Sequence, residues 1–189
     1  MGGPYFQKDR WPAFVYQGQT YGFDHLDEYI FRVSDSQAVM RQIAVTFDDH
    51  CFTRPWEGVE DDSALIYLRS SRRPGCFCIE RYQHSLQLPA HIQRAVSGHV
   101  WNIQSDNFAI VPTVTHQGVK MLYGIVFSLD PVKGLPVDLH MRVKTAYPCD
   151  ERDIVTFGSV RFRHLVSLRM QRKRPGRIVD RGRKRPHVT

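Results

Sequence analysis

The alternation of apolar and polar positions predicts a body made mainly of β-strands. Gln42–Phe47 alternates as a strand, and two shorter strands are expected at Ala64–Arg69 and Gly75–Tyr82. After residue 98 the pattern becomes a meander, in which short turns separate four predicted strands: Val100–Gln104, Phe108–Thr115, Lys120–Leu129 and Val137–Tyr147. Because successive side chains of a strand point to opposite faces, such alternation is typical of half-buried strands in an antiparallel sheet.

Helical spacing is found in a few segments between and after these strands. The clearest helix starts beside Pro89 and ends at Gly98, with one apolar face made of Leu88, Ile92, Ala95 and Val96. Asp24–Val33 is predicted as a short helix with Asp24 as its N-cap. Val160–Met170 fits a strand and a mixed helix equally well. The expected fold is therefore α+β, a mainly antiparallel meander with one or two helices packed on it.

Charge is distributed very unevenly along the 189 residues. Residues 161–189 contain eleven Lys or Arg and one acidic residue, whereas the first 160 contain 15 basic and 18 acidic side chains. Pro and Gly recur among the last basic residues, which argues against a stable helix there. We therefore expect one domain over residues 1–170 and a flexible basic tail over residues 171–189.

The predicted strand Val137–Tyr147 carries the most informative pattern in the body. Apolar side chains fall on one face, while His140, Arg142 and Lys144 fall on the other. A row of cations can hold a phosphate, and a histidine can exchange a proton near neutral pH. The alternative is the ordinary solvated face of an antiparallel sheet.

Basic residues after this strand form the candidate nucleic-acid-binding set. If Val160–Met170 paired beside Val137–Tyr147, Arg161 and Arg163 would widen the basic face; otherwise they belong to a basic terminal element. The tail should give salt-sensitive, sequence-independent affinity for phosphates, and its candidate residues are Arg172, Lys173, Arg174, Arg177, Arg181, Arg183, Lys184 and Arg185. A membrane surface is disfavoured because no apolar anchor accompanies the charge.

A helix followed by a meander with basic and aromatic side chains on one sheet face resembles the barnase- and RelE-like ribonucleases. The resemblance covers Leu88–Met170 and rests on this pattern. It implies metal-independent cleavage of RNA, RNA rather than DNA as the partner, a toxin or mobile-element origin and a neutralising protein partner. The matching residue types are His140, Arg142, Lys144 and Tyr147, although strict alternation places Tyr147 on the opposite face.

Other classes of site have little support in the sequence. Cys76 and Cys78 could share a face, but the two-residue knuckle spacing of structural zinc sites does not occur, so neither a metal nor a cofactor is expected. The four scattered cysteines suggest a reducing, cytoplasmic setting, and residues 1–11 lack the apolar core of a secretory signal. No apolar run reaches the ~20 residues of a membrane span.

The leading hypothesis is thus a nucleic-acid-directed protein, in its sharpest form an endoribonuclease. His140 would be the general acid or base, and Arg142 and Lys144 would stabilise the charged phosphate. Two alternatives stay open. The first is a non-catalytic RNA-, DNA- or ribosome-binding protein, and the second is a protein-interaction effector or inhibitor that uses the acidic segment Glu57–Asp62.

Overall fold

A computed structural model describes residues 4–56, 62–67, 75–103, 106–114, 118, 120–149 and 158–174. Its main body is a seven-stranded sheet with the order β12-β8-β9-β10-β11-β4-β3. The strands are β3 (Tyr29–Ser34), β4 (Met40–Phe47), β8 (His99–Ile103), β9 (Asp106–Val114), β10 (Lys120–Pro131), β11 (Leu139–Cys149) and β12 (Ser159–Arg161). The predicted α+β fold with a mainly antiparallel sheet is confirmed.

The meander of the sequence prediction forms the centre of this sheet. β8, β9, β10 and β11 are sequential antiparallel neighbours. β11 then pairs in parallel with β4, so that His140 lies opposite Ala44 and Arg142 opposite Thr46. This parallel pairing brings together segments nearly 100 residues apart, and the antiparallel hairpin β3–β4 completes that edge.

The two faces of the sheet are covered by different parts of the chain. We call the face that carries Ile43, Ile125, Phe127, Leu139 and Met141 the inner face, because all five side chains are buried there. Three α-helices cover the inner face within the described residues, and the N-terminal segment lies on the opposite, outer face. The helices are α1 (Ile79–Ser85), α2 (Leu88–Ala95) and α3 (Phe162–Met170).

Helix α3 is fixed to the inner face by its aromatic and polar contacts. The ring of Phe162 packs near Phe31 and Phe127, with centroids 6.5 and 6.2 Å away. Ser167 Oγ hydrogen-bonds Ser36 Oγ at 2.7 Å. Arg169 donates to the Leu129 carbonyl and pairs with Asp130 at the end of β10. These contacts hold α3 under the sheet while its other side faces solvent.

A second group of aromatic rings closes one end of the inner core. It lies around the small sheet β5-β7-β6, whose strands are β5 (Thr53–Pro55), β6 (Ile66–Tyr67) and β7 (Gly75–Phe77), and the hairpin β1 (Phe14–Tyr16) and β2 (Gln19–Tyr21). Phe23 is the hub of this group, with its ring 4.2 Å from Phe52 and 5.6 Å from Tyr82. The aromatic content of the N-terminal half is thus used for packing.

Several local predictions differ from the structure. Asp24–Val33 is not a helix: Asp24–Leu26 forms a single 3₁₀ turn and β3 begins at Tyr29. The predicted strand Gly75–Tyr82 ends at Phe77, because Cys78 is the N-cap of helix α1, which begins at Ile79. Val160–Met170 is mostly helix, preceded by the three residues of β12.

Some expectations concern residues outside the described ranges. These are the strand at Ile154–Phe157, the acidic residues Glu57, Glu60 and Asp61, and the tail beyond residue 174. None of the helices in the described part of the chain is both long and apolar enough to cross a membrane.

Candidate nucleic-acid interface

Strand β11 presents the predicted row on the outer face. Its apolar residues Leu139, Met141 and Val143 are buried on the inner face, while His140 and Lys144 are half-buried and Arg142 is exposed. The alternation that predicted this division is confirmed as far as Val143.

A β-bulge at Lys144 changes the second half of the strand. Val143 lies opposite Phe127 and Thr145 opposite Val126, so Lys144 is an extra residue between two paired ones. The following alternation is therefore inverted, and Ala146 is the buried residue. Tyr147 consequently lies on the same face as His140, contrary to the sequence expectation of the opposite face.

His140 is covered and hydrogen-bonded. Its Nε2 lies 2.7 Å from the hydroxyl oxygen of Thr46, and the ring of Phe6 stacks on its imidazole with centroids 3.9 Å apart. Burial lowers the pKa of His140, while the carboxylates of Glu28 and Asp130 oppose that effect. The imidazole is therefore neutral at pH 7, the form of a histidine that can accept a proton.

The two cations of the row are each paired with a carboxylate. Arg142 Nε lies 2.8 Å from Asp48 Oδ1, and Lys144 Nζ lies 2.7 Å from Asp106 Oδ1. Pairing with carboxylates reduces the positive potential that a phosphate would experience on this face. The Arg142 side chain is nevertheless 55% exposed, so the ion pair leaves more than half of it accessible to solvent.

Helix α3 and the residues on either side of it carry a different basic surface. We define the α3 basic surface by five exposed residues: Arg161, Arg163, Arg172, Lys173 and Arg174. There is no acidic residue between positions 158 and 174. Within the described ranges none of the five has an ion pair with a carboxylate, unlike Arg142, Lys144 and Arg169.

The α3 basic surface and the β11 row do not form one site. β12, which carries Arg161, pairs with β8 and not with β11. Four strand spacings separate β12 from β11, or about 19 Å at ~4.8 Å each. Since α3 packs on the inner face and His140 lies on the outer face, the expected broad surface that combines both groups is not present.

The junction between α1 and α2 contains buried polar groups that periodicity did not reveal. His25 Nε2 lies 2.9 Å from Ser85 Oγ. His91 is 3% exposed and its ring centroid lies 5.2 Å from that of buried Tyr123. Burial lowers the pKa of His91 to about 4, with Arg94 and His84 adding to the effect. The only feature of the sequence that could have indicated the burial of His91 is its position on the apolar side of the amphipathic helix α2.

Cysteines and acidic residues do not assemble into a metal centre in the described part of the chain, where no three His, Cys, Asp or Glu side chains converge. Cys76 is buried, and Cys78 is half-buried outside the strand, at the first turn of α1. Burial raises the pKa of the Cys51 thiol well above its usual range, so that sulfur is protonated and unreactive at neutral pH.

Comparison with known proteins identifies the family of the chain. The YjaZ family model matches residues 13–170, which include the whole sheet and all three helices, so the chain belongs to the YjaZ family. No curated protein and no solved structure matches the chain.

Proposed function

We propose that this YjaZ-family protein binds nucleic acid, RNA in preference to DNA, through the α3 basic surface. The observation that supports the proposal is the set of five exposed cations on and beside α3, with no carboxylate between residues 158 and 174. Cations without local counter-charges attract the phosphate backbone and release its condensed counterions on binding. The sequence continues beyond residue 174 with Arg177, Arg181, Arg183, Lys184 and Arg185, which would add to the same affinity.

The character of the surface favours phosphates over lipid. None of the large apolar side chains that are exposed in the described residues belongs to α3 or to the residues that flank it in the sequence, and the most exposed are Val15 and Met40. An interfacial helix would need an apolar face to insert below the lipid headgroups, whereas the apolar face of α3 is buried against the sheet. A polyanion, which can bind through charge alone, is therefore a better match for the α3 basic surface than a lipid membrane is.

Neutralisation of three cations on the α3 basic surface tests this proposal. Arg161→Gln, Arg163→Gln and Arg172→Gln, combined in one protein, should weaken binding of a single-stranded RNA 20-mer at least tenfold at 100 mM salt. The matched control combines Arg32→Gln, Lys120→Gln and Lys133→Gln, which remove the same charge from exposed positions elsewhere. If both proteins lose the same RNA affinity, the effect depends only on net charge, and the α3 basic surface is not a specific binding site. A DNA 20-mer in parallel tests the preference for RNA.

Cleavage of RNA at the outer face is the second candidate function. It is favoured by the neutral imidazole of His140 and by the half-exposed Arg142 two residues away on the same strand. The Phe6 ring and the two ion pairs make this face less open to phosphate than the α3 basic surface. An RNA cleavage assay in EDTA with wild type and His140→Ala decides the question. Absence of cleavage in wild type would favour a binding module over a ribonuclease; cleavage that survives His140→Ala would show that His140 is not the base.

A further inference from the structure

The N-terminal segment is bound to the outer face as a peptide would be. We call Tyr5–Gln7 the strap. The backbone N–H groups of Tyr5, Phe6 and Gln7 all donate to the carboxylate of Glu28, at 2.7, 2.7 and 2.8 Å. A carboxylate that accepts hydrogen bonds from three successive backbone N–H groups binds the main chain of a peptide and not a particular side chain. Hydrogen bonds to a charged acceptor are stronger than those between neutral groups.

The aromatic side chain of the strap fills a slot next to that carboxylate. The Phe6 and His140 rings are parallel, and Ala44, the residue opposite His140 on β4, is completely buried. Thr46 holds the imidazole through its hydroxyl group, which fixes the orientation of one wall of the slot. The parallel stack on His140 favours a flat ring at the position of Phe6, and Glu28 binds the backbone N–H groups of the ring residue and of its two neighbours.

The strap is connected to the body in a way that lets it leave. Lys8, Asp9 and Arg10 follow it and are all exposed, whereas Trp11 is 7% exposed within the aromatic group. Arg10 forms ion pairs with Asp24 and Asp27, but its side chain is largely exposed, so these pairs are weak. Three residues can span up to about 10 Å, so the strap can move off the face while Trp11 stays in place.

The third strap residue fits its surroundings poorly. Both the Nε2 and Oε1 atoms of Gln7 are buried without a hydrogen-bond partner among the described residues. A buried amide without partners has a free-energy cost, because it has given up its hydrogen bonds with water and gained none in exchange. An unbranched apolar side chain of similar length, such as methionine, would fill the same space without that cost. The chain's own strap is therefore a weaker ligand than this face can bind.

We propose that Glu28, Ala44, Thr46 and His140 form a peptide-binding site, which the strap occupies in the free protein. The partner is an extended segment of another protein that carries an aromatic residue followed by an unbranched apolar one. Its backbone amides bind Glu28, its ring stacks on His140, and the apolar side chain takes the place of Gln7. This site lies on the opposite face of the sheet from helix α3 and at least four strand spacings away from β12, which carries Arg161, so both sites can be occupied together.

Binding of the peptide acetyl-Tyr-Phe-Met-amide to the full-length chain tests the site. Phe6→Ala removes the stacked ring and should bind the peptide at least tenfold more tightly than wild type, measured by calorimetry. Adding Glu28→Gln to Phe6→Ala should abolish that gain, because the amides lose their charged acceptor. Val15→Ala, which shortens an exposed apolar side chain elsewhere, should behave as wild type.

Three further measurements distinguish this site from other binding. The peptide acetyl-Tyr-Phe-Gln-amide should bind Phe6→Ala more weakly than the methionine peptide does, and bound peptide should shift the NMR signals of the His140 ring. Gln7→Met in the full-length chain should tighten the strap and lower peptide binding below wild type, which covers the case of a poorly folded Phe6→Ala. No binding by folded Phe6→Ala at millimolar peptide, or binding that ignores Glu28→Gln, would overturn the proposal.

Discussion

The ring of Phe6 lies parallel to the imidazole of His140, with their centroids 3.9 Å apart, although 133 positions separate the two residues in the sequence. This contact buries the one histidine of β11 and links the N-terminus to the centre of the sheet. It contributes to the burial that lowers the pKa of His140 and covers part of the outer face, and neither effect is visible in the alternation of β11 alone.

Removal of the stacked ring should therefore change the titration of His140. Burial lowers its pKa, so Phe6→Ala, which admits water, should raise that pKa towards the ordinary value of 6.5. The charged groups around the ring are Glu28, Asp130, Asp48 and Arg142, and the variant leaves them unchanged. NMR titration of the His140 ring protons measures the shift. Tyr5→Ala, which alters the neighbouring strap residue, provides the control, and an unchanged pKa in Phe6→Ala would show that the stack does not exclude water.

Buried His91 should make the protein sensitive to mild acid. Its pKa is lowered to about 4 in the folded protein from an ordinary 6.5, so below pH 6.5 the unfolded chain binds a proton that the folded protein does not. The free energy of unfolding is therefore not reduced by His91 above pH 6.5, and it decreases as the pH falls towards 4. The loss should reach about 2–3 kcal/mol, since one pKa unit corresponds to about 1.4 kcal/mol.

Urea unfolding at pH 7 and pH 4.5 measures that loss. His91→Gln, which cannot titrate, should show a smaller decrease in the free energy of unfolding than wild type does between the two pH values. The comparison between the two proteins removes the contributions of His25 and His140, whose pKa values burial also lowers. Identical decreases in both proteins would contradict the assignment.

The turn between β3 and β4 depends on the buried carboxylate of Asp35. That side chain accepts the N–H groups of Gln37 and Val39 at 2.8 and 3.0 Å and pairs with Arg41 at 3.1 Å. Burial raises its pKa, but the two backbone hydrogen bonds and Arg41 outweigh burial and leave the pKa below its usual value. Asp35→Ala should therefore destabilise the fold by about 2–4 kcal/mol at pH 7. Chemical unfolding measures this, with the exposed Asp9→Ala as the control; equal stabilities would refute the role of Asp35.

The parts of the fold that depend on local pattern could be predicted, and those that depend on distant pairing could not. The meander and helix α2 follow from alternation and helical spacing within single segments. The helix expected at Asp24–Val33 failed because Leu26, Ile30 and Val33 also fit helical spacing, whereas the segment pairs as β3 and buries Phe31. Tertiary pairing with β4 decides between two patterns that are locally compatible.

The candidate site shows the same division. Sequence alternation placed His140 and Arg142 on one face, but the carboxylates and rings that modify them come from other elements. Asp48 follows β4, Phe6 belongs to the strap, and the bulge at Lys144 changes the face of Tyr147. A cation on a strand can be recognised in a sequence, but its counter-charge across a parallel pairing cannot.

The salt dependence of RNA binding tests the central claim most directly, because its slope counts the phosphates that the protein neutralises. Each contact with single-stranded RNA contributes about −0.7 to the slope of log K against log salt concentration. Combining Arg161→Gln, Arg163→Gln and Arg172→Gln should therefore reduce the magnitude of the slope by about 2 relative to wild type. The control that combines Arg32→Gln, Lys120→Gln and Lys133→Gln should retain the wild-type slope. If the first protein keeps the wild-type slope, or if the wild type binds RNA with no salt dependence, the α3 basic surface is not a nucleic-acid interface.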